Sequence, residues 1–320
     1  MTIKTADKYD LRQRAILVRV STSMFGTQKK DRDATNATAD QYGAAADQVA
    51  VTKSIINRKN PLFKKIDKIK GLIRNSHLAT TGVWDEPYRV IRTAKYSAWR
   101  SVMDELKIDF DEAADDLVKA LPDIIAEAQG NLGALYDASL IPSAEEIRAA
   151  FSVEIDTEVL PDRGNMILDL DKAQVDGIVA AANAKDQQRL KTLGEETHAT
   201  VRKELETLIE ALRSFGDELP DTKRTRTFRD SLVKRMAALA DTLPGLNVTG
   251  DPALDKLAKD IAAKLTVINA AELRGDKVKG DNRSKERVEA EAASKREETA
   301  DAAAEILNDL DGIFGDQKVA

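Results

Sequence analysis

From Asp171 to Phe215 the chain runs without proline, and Leu190, Leu193, Thr197, Val201, Leu205, Leu208, Leu212 and Phe215 recur every three or four positions. That spacing draws one stripe along a long helix. Charged pairs such as Lys203 and Glu204, or Glu210 and Arg213, fall outside the stripe, so one side of the rod needs a packing partner and the other faces water.

Shorter patterns flank it. Ala15 to Ser21 is apolar and β-branched, short enough for a strand, and Gly26 closes it. Asp31 to Ala46 has helix-forming composition but little apolar content. Pro61 suits a first helical position, where its missing N–H costs nothing. Phe63, Ile66, Ile69 and Ile73 follow at helical spacing, with Lys64, Lys65 and Lys68 opposite. Gly82 to Pro87 interrupts this helix, and a helical pattern is expected to resume at Tyr88, through Trp99, Val102, Met103 and Leu106. Asp109 to Leu135 predicts a second long helix that Pro122 either kinks or divides. Ser143 followed by Glu146 fits a capping box. Phe151 to Leu160 alternates, residues 161–165 read as a turn, and Met166 to Leu170 alternates again, predicting a β-hairpin. With the Ala15 strand it would make a three-stranded sheet.

Beyond the rod, Pro220 and Asp221 mark a corner, and Phe228 to Leu243 reads as a helix stopped by Pro244 and Gly245. Asp251 and Pro252 open another, ending near Ala271. Leu273 to Ser284 has the composition of a linker, and Lys285 to Asp301 is charged and alanine-rich with almost no apolar face, a solvated helix at most. An apolar cluster returns at Ile306, Leu307, Leu310, Ile313 and Phe314. The expected fold is mainly α: an elongated antiparallel helical bundle around a long central helix, with a small β-hairpin or three-stranded sheet. The expected regions are 1–170, 171–272 and 273–320.

Composition supports this class. Hydrophobic residues make up 42% of the chain and aromatics only 4%, so the core must be built from Leu, Ile, Val and Ala, which favours packed helices. There is no cysteine, which excludes disulfides, thiolate nucleophiles and cysteine zinc sites and fits a cytoplasmic setting. No window approaches the roughly 20 apolar residues of a membrane span, so no membrane partner is expected.

Reaction motifs are missing. Gly245 to Gly250 has phosphate-loop glycine spacing but continues with Asp251 and Pro252 instead of lysine and a hydroxyl residue, so it cannot cradle a triphosphate. No GxGxxG, GxSxG or HExxH occurs. His77 and His198 stand far apart; Glu195 and Arg202 share a helix face with His198. Asp111, Glu112, Asp115 and Asp116 would cluster on a helix, either as a solvated face or as magnesium ligands, though Ala114 stands where a calcium loop needs glycine. No catalytic residue, cofactor or metal ligand is assigned.

Charge is the most informative feature. The chain carries −6 overall, yet Val51 to Arg100 holds twelve Lys/Arg against three acids, a balance of +9, and Ser101 to Leu160 holds three against fifteen, a balance of −12. Three readings follow. The basic block, with aromatic rings interleaved, grips a nucleic acid backbone and stacks on bases; or the blocks of neighbouring copies meet head to tail; or they pair within one chain and the rings are core. The candidate nucleic-acid-binding residues are Lys53, Arg58, Lys59, Lys64, Lys65, Lys68, Arg92, Lys95, Tyr96 and Trp99.

The segments Ser23–Met24–Phe25–Gly26 with Lys29–Lys30–Asp31, Phe228–Arg229–Asp230–Ser231–Leu232, Leu243–Pro244–Gly245–Leu246–Asn247 and Gly250–Asp251–Pro252 resemble a set of uncharacterised proteins of tailed phages and prophages. The resemblance spans about Ala15 to Ala271. It implies a viral or prophage origin and expression inside a bacterium, and carries over no activity. The expected function is therefore a non-enzymatic phage-encoded binding protein that engages DNA or RNA. A factor that binds a bacterial host protein or assembles with itself as a homo-oligomer is the alternative, and a divalent-metal nuclease ranks last.

Overall fold

The computed structural model describes residues 8–54, 56–160, 171–218, 225–277 and 282–315. In chain order the elements are α1 (Lys8–Arg14), β1 (Ala15–Ser23), β2 (Gln28–Asp31), α2 (Arg32–Tyr42), β3 (Val51–Ser54), α3 (Pro61–Thr80), β4 (Gly82–Asp85), β5 (Tyr88–Arg92), α4 (Thr93–Lys119), α5 (Leu121–Leu132), α6 (Ala144–Ala149), β6 (Ser152–Val159), α7 (Lys172–Arg213), α8 (Asp230–Leu246), α9 (Pro252–Leu265), α10 (Ala270–Arg274) and α11 (Lys285–Gly315). The fold is mainly α with a small sheet ordered β4-β5-β1-β6 and a separate β2-β3 pair. β5 runs antiparallel to β1, with Ala15 opposite Arg92, and antiparallel to β4, with Gly82 opposite Val90.

The chain forms two compact units: Met1–Val18, Ala79–Ser97 and Thr157–Ala320 make the first, Arg19–Leu78 and Ala98–Asp156 the second. It passes between them four times, within β1, α3, α4 and β6.

In the first unit the long stripe behaves as its spacing predicts. Asp171 caps α7 in a reciprocal box with Gln174, and Leu193, Thr197, Val201, Leu205, Leu208 and Leu212 are buried. Val201, Leu205, Leu208 and Leu212 pack with Leu232, Met236 and Leu239 of α8, Leu257 and Ile261 of α9, and Ile306 and Leu310 of α11. A second cluster joins Ala15, Leu17, Trp84, Val90 and Val248 to Leu193. Here Gly82 approaches α7 closely, and a methyl in its place would meet a δ-methyl of Leu193 and force that side chain to shift.

Four expectations are corrected. Tyr88 to Arg92 is a strand, and the helix starts only at Thr93; Glu86 and Pro87 form the turn between β4 and β5. α8 runs through Pro244 to Leu246, since a proline in the last turn removes a single intrahelical bond. α9 stops at Leu265 and α10 is separate. Lys285 to Asp301 is no solvated segment: Val288, Ala292 and Ala300 are buried, and α11 packs along α7. Its apolar stripe is made of methyl groups, which let two helices approach closely while the charged residues stay outside.

In the second unit Phe151 sets its ring against Phe63 of α3 and Phe110 of α4, with centroids 6.4 and 6.3 Å away. Ile66, Ile69, Ile73, Met103, Leu117 and Ile147 are fully or almost fully buried. Pro122 divides the expected Asp109 to Leu135 helix into α4 and α5 by taking an N-terminal position of α5. The Ser143 capping box forms with both bonds. Phe151 to Leu160 supplies β6 as expected, and β1 lies beside it. The turn at 161–165, the strand at Met166 to Leu170, and Pro220 and Asp221 lie outside the described residues. The β2-β3 pair, Lys29 opposite Lys53, was not anticipated; its residues are polar and its strands only four long.

Candidate nucleic-acid interface

The basic block divides between the two units. Lys53 is 9% exposed, with Nζ 3.0 Å from Asp31 and donating to the Leu135 carbonyl at 3.0 Å. Asp31 also accepts from the Ala34 N–H; that bond first, and Lys53 second, hold its carboxyl below the ordinary range. Lys53 is therefore a structural cation of the β2-β3 pair and is removed from the candidate set. Trp99 leaves it too, at 3% exposure with His77 5.8 Å from its ring. Tyr96 is half-buried, its hydroxyl 3.1 Å from that of Thr157. The interleaved aromatics thus offer no stacking platform, and helical spacing here marks core.

Most of the remaining cations of the block are engaged. Arg58 donates to Thr27 at 3.2 Å, and Lys65 meets Asp116 at 3.2 Å. Arg92 donates to Asp255 at 2.9 Å, and Lys95 to Asp241 at 3.3 Å. Arg89 donates to the Thr81 hydroxyl and carbonyl at 2.7 and 2.6 Å, and burial pushes its guanidinium below its usual value. Arg92 and Lys95 belong to the first unit, whereas Lys53 to Arg74 and Trp99 belong to the second.

What is left is coherent. Among the described residues, Lys59, Lys64, Lys68, Lys70 and Arg74 have neither an ion pair nor a side-chain hydrogen bond, and all but the partly exposed Lys70 are exposed. The sequence produces this directly: Phe63, Ile66, Ile69, Ile73 and His77 commit one side of α3 to the core, which turns Lys64 and Lys68, one turn apart, to the opposite side. Lys65 adds a third cation, and its contact with Asp116 is half-exposed on both sides, so it holds the lysine weakly. Asp67 is the single acid on α3.

The acidic block stays largely separate. Among the described residues two ion pairs join the blocks, Lys65 with Asp116 and Arg100 with Asp104. Asp111 and Asp115 are instead held by Arg148 at 3.1 and 2.5 Å, and these bonds, Asp115 first, raise the guanidinium above its usual value. Two of the four residues suggested as magnesium ligands are thus held by an arginine fork, which rewards planar pairing with carboxylates. Glu105, Asp109 and Glu112 remain exposed along α4 without ion-pair partners among the described residues.

The other candidates have structural partners. His77 is buried in the second unit. His198 places Nε2 2.9 Å from Asp311, which also accepts two bonds from Arg202 at 2.7 Å. The loop after α8 is organised by Asn247, 1% exposed: its Nδ2 donates to the Asp251 carbonyl and to Asp255, and its Oδ1 accepts from the Asp251 N–H. That asparagine ties the loop to the start of α9. Sequence reasoning missed its role, because the signal is a spacing of four between an amide and a helix cap.

Asp311 gives a pH prediction. Its carboxyl lies below the ordinary range through bonding to His198 first and Arg202 next, so it binds a proton more weakly folded than unfolded. Its contribution is present above the ordinary carboxylate range and lost as pH falls toward the lowered value. The groups are more than a third exposed on the Asp311 side, so the contribution stays under about 1 kcal/mol. Thermal unfolding between pH 7 and pH 3 should show a shallower acid decline in Asp311→Asn than in the parent; coincident curves would show that the cluster adds nothing.

Comparison of the chain with protein-family models, curated proteins and solved structures gives no match. Among the described residues no helix is long and apolar enough to cross a membrane.

Proposed function

We propose that this chain is a non-enzymatic binding protein that holds nucleic acid by its phosphates along the exposed face of α3. One observation carries the reading: Lys59, Lys64, Lys68, Lys70 and Arg74 stand without carboxylate partners among the described residues, while most of the block around them is paired. Four of these lie on α3 and Lys59 lies just before it; unpaired cations gathered in one segment are the usual means of displacing counterions from a polyanion. Because Trp99 is buried and Tyr96 engaged, ring stacking has no part in this reading, and affinity comes from charge. The biological setting we propose is the one implied by the resemblance to tailed-phage proteins, DNA or RNA inside a bacterium.

The test is a salt series with single- and double-stranded oligonucleotides. Engagement of five phosphates gives a slope of log affinity against log salt of about −4.5 on duplex and about −3.5 on single strands. Failure to bind either form at low salt removes the proposal.

A second reading, self-assembly or docking on a host protein, is favoured by the unpaired stripe of Glu105, Asp109 and Glu112 on α4. The basic face of one copy would then meet the acidic face of another. Light scattering separates the two: mass that falls with salt in the absence of nucleic acid supports assembly.

A further inference from the structure

Beside the start of α3 lies an open cavity of about 260 Å³, lined by Ser54, Asn57, Asn60, Glu127 and Asn131 over a floor of Ile124, Ala128 and Leu132. Resting on the nucleic-acid reading above, we propose that this cavity receives one unstacked nucleobase that carries an exocyclic amino group.

The size fits one ring system, since the volume lies just below the range of small-molecule pockets. The floor is apolar, with Ile124 and Ala128 buried, and suits the face of a base. The rim is polar, and part of it is oriented by the backbone. Asn57 Oδ1 accepts from the Lys59 N–H, and Asn60 Oδ1 from the Leu62 N–H, each at 2.9 Å. Each bond orients its amide and leaves the Nδ2 group as a donor without a partner among the described residues, with one lone pair still on each Oδ1. Glu127, opposite on α5, is an acceptor only, and Asn131, one turn on, supplies either kind.

Donors on one edge and a carboxylate on the other complement a base with a carbonyl or ring nitrogen beside an amino group. Cytosine, adenine and guanine have that pairing of groups, and thymine lacks the amino group. Lys59 lies between Asn57 and Asn60 in the chain, and the Lys64 N–H donates to the Asn60 carbonyl at 3.0 Å, one helical turn in. Two unpaired cations thus lie close to the rim residues along the chain, which favours an anionic ligand such as a nucleotide over a neutral sugar. The pocket would read bases while the helix holds the backbone.

The experiment compares oligodeoxycytidine and oligodeoxythymidine of equal length by fluorescence anisotropy, at fixed salt and then across a salt series. The parent protein should bind the cytidine oligomer about ten-fold more tightly, the effect of one good base-edge contact. Glu127→Ala, an exposed helical site where alanine is well tolerated, and Asn131→Ala should each bring the ratio near one and leave the salt slope unchanged. Equal affinity for the two oligomers in the parent, or a ratio retained in both variants, with the salt slope intact overturns the base pocket and leaves the backbone reading standing. No binding of either oligomer overturns both.

Discussion

Leu205→Ala should lower the stability of the first unit by about 2–5 kcal/mol, the range for removing a fully buried leucine and leaving part of its volume empty. Leu205 is 0% exposed at the middle of the α7 stripe, in a cluster where Met236, Ile261, Ala300 and Ala303 are also fully buried. No single neighbour is free to fill the space, because the cluster draws on α7, α8, α9 and α11 at once. The tryptophans allow a local reading: Trp84 belongs to the first unit and Trp99 to the second. Urea unfolding followed by Trp84 fluorescence in a Trp99→Phe background reports the unit concerned. Val267→Ala, at a position 77% exposed, is the control and should stay within about 0.5 kcal/mol. A loss for Leu205→Ala no larger than the control's would mean that the stripe is not the core of this unit.

Reversing Lys64, Lys68 and Arg74 together to glutamate should weaken nucleic acid binding at low salt by about 100-fold or more. It should also flatten the salt slope by roughly 2–3, close to one for each phosphate no longer neutralised. The three side chains are exposed and have no partners among the described residues, so the helical circular dichroism should not change. The informative comparison is Arg92→Ala with Lys95→Ala. Both residues look equally suitable in the sequence, but they are paired with Asp255 and Asp241, and their removal should leave affinity within about two-fold if α3 is the interface. The reverse pattern, with the α3 variant unaffected, would move the interface to the first unit.

Much of the helical layout was legible because α3 and α7 alternate large apolar residues with charges at the helical period. The first part of α11 was not, because its buried face before Ile306 is mostly alanine, with Val288, Ala292, Ala300 and Ala303, and alanine weighs little in any count of apolar residues although it marks where helices come close. The β4-β5 hairpin was missed for a different reason. Tyr88, Val90 and Ile91 suit a strand or a helix equally over so short a run, and only pairing with β1 decides between them. The charge blocks were plain in the sequence, but which cations were free was not. Arg92 and Lys95 find their acids 163 and 146 residues away, a distance no local pattern encodes. The amide-rimmed cavity was invisible for the same reason, since Asn57 and Asn60 meet Glu127 and Asn131 only once the second unit has folded.

The fourfold passage of the chain between the units bears on how the protein is made. A ribosome releases every residue of the second unit by Asp156, whereas the first unit needs α7 to α11, which follow it. Ala15, Leu17 and Val90 therefore emerge early but find Leu193 and Val248 only late. Vectorial synthesis would thus let the unit that carries α3 mature first while the strands at its borders wait with their apolar faces uncovered. A chain cut after the second unit would keep the basic helix and also a sticky, unfinished sheet.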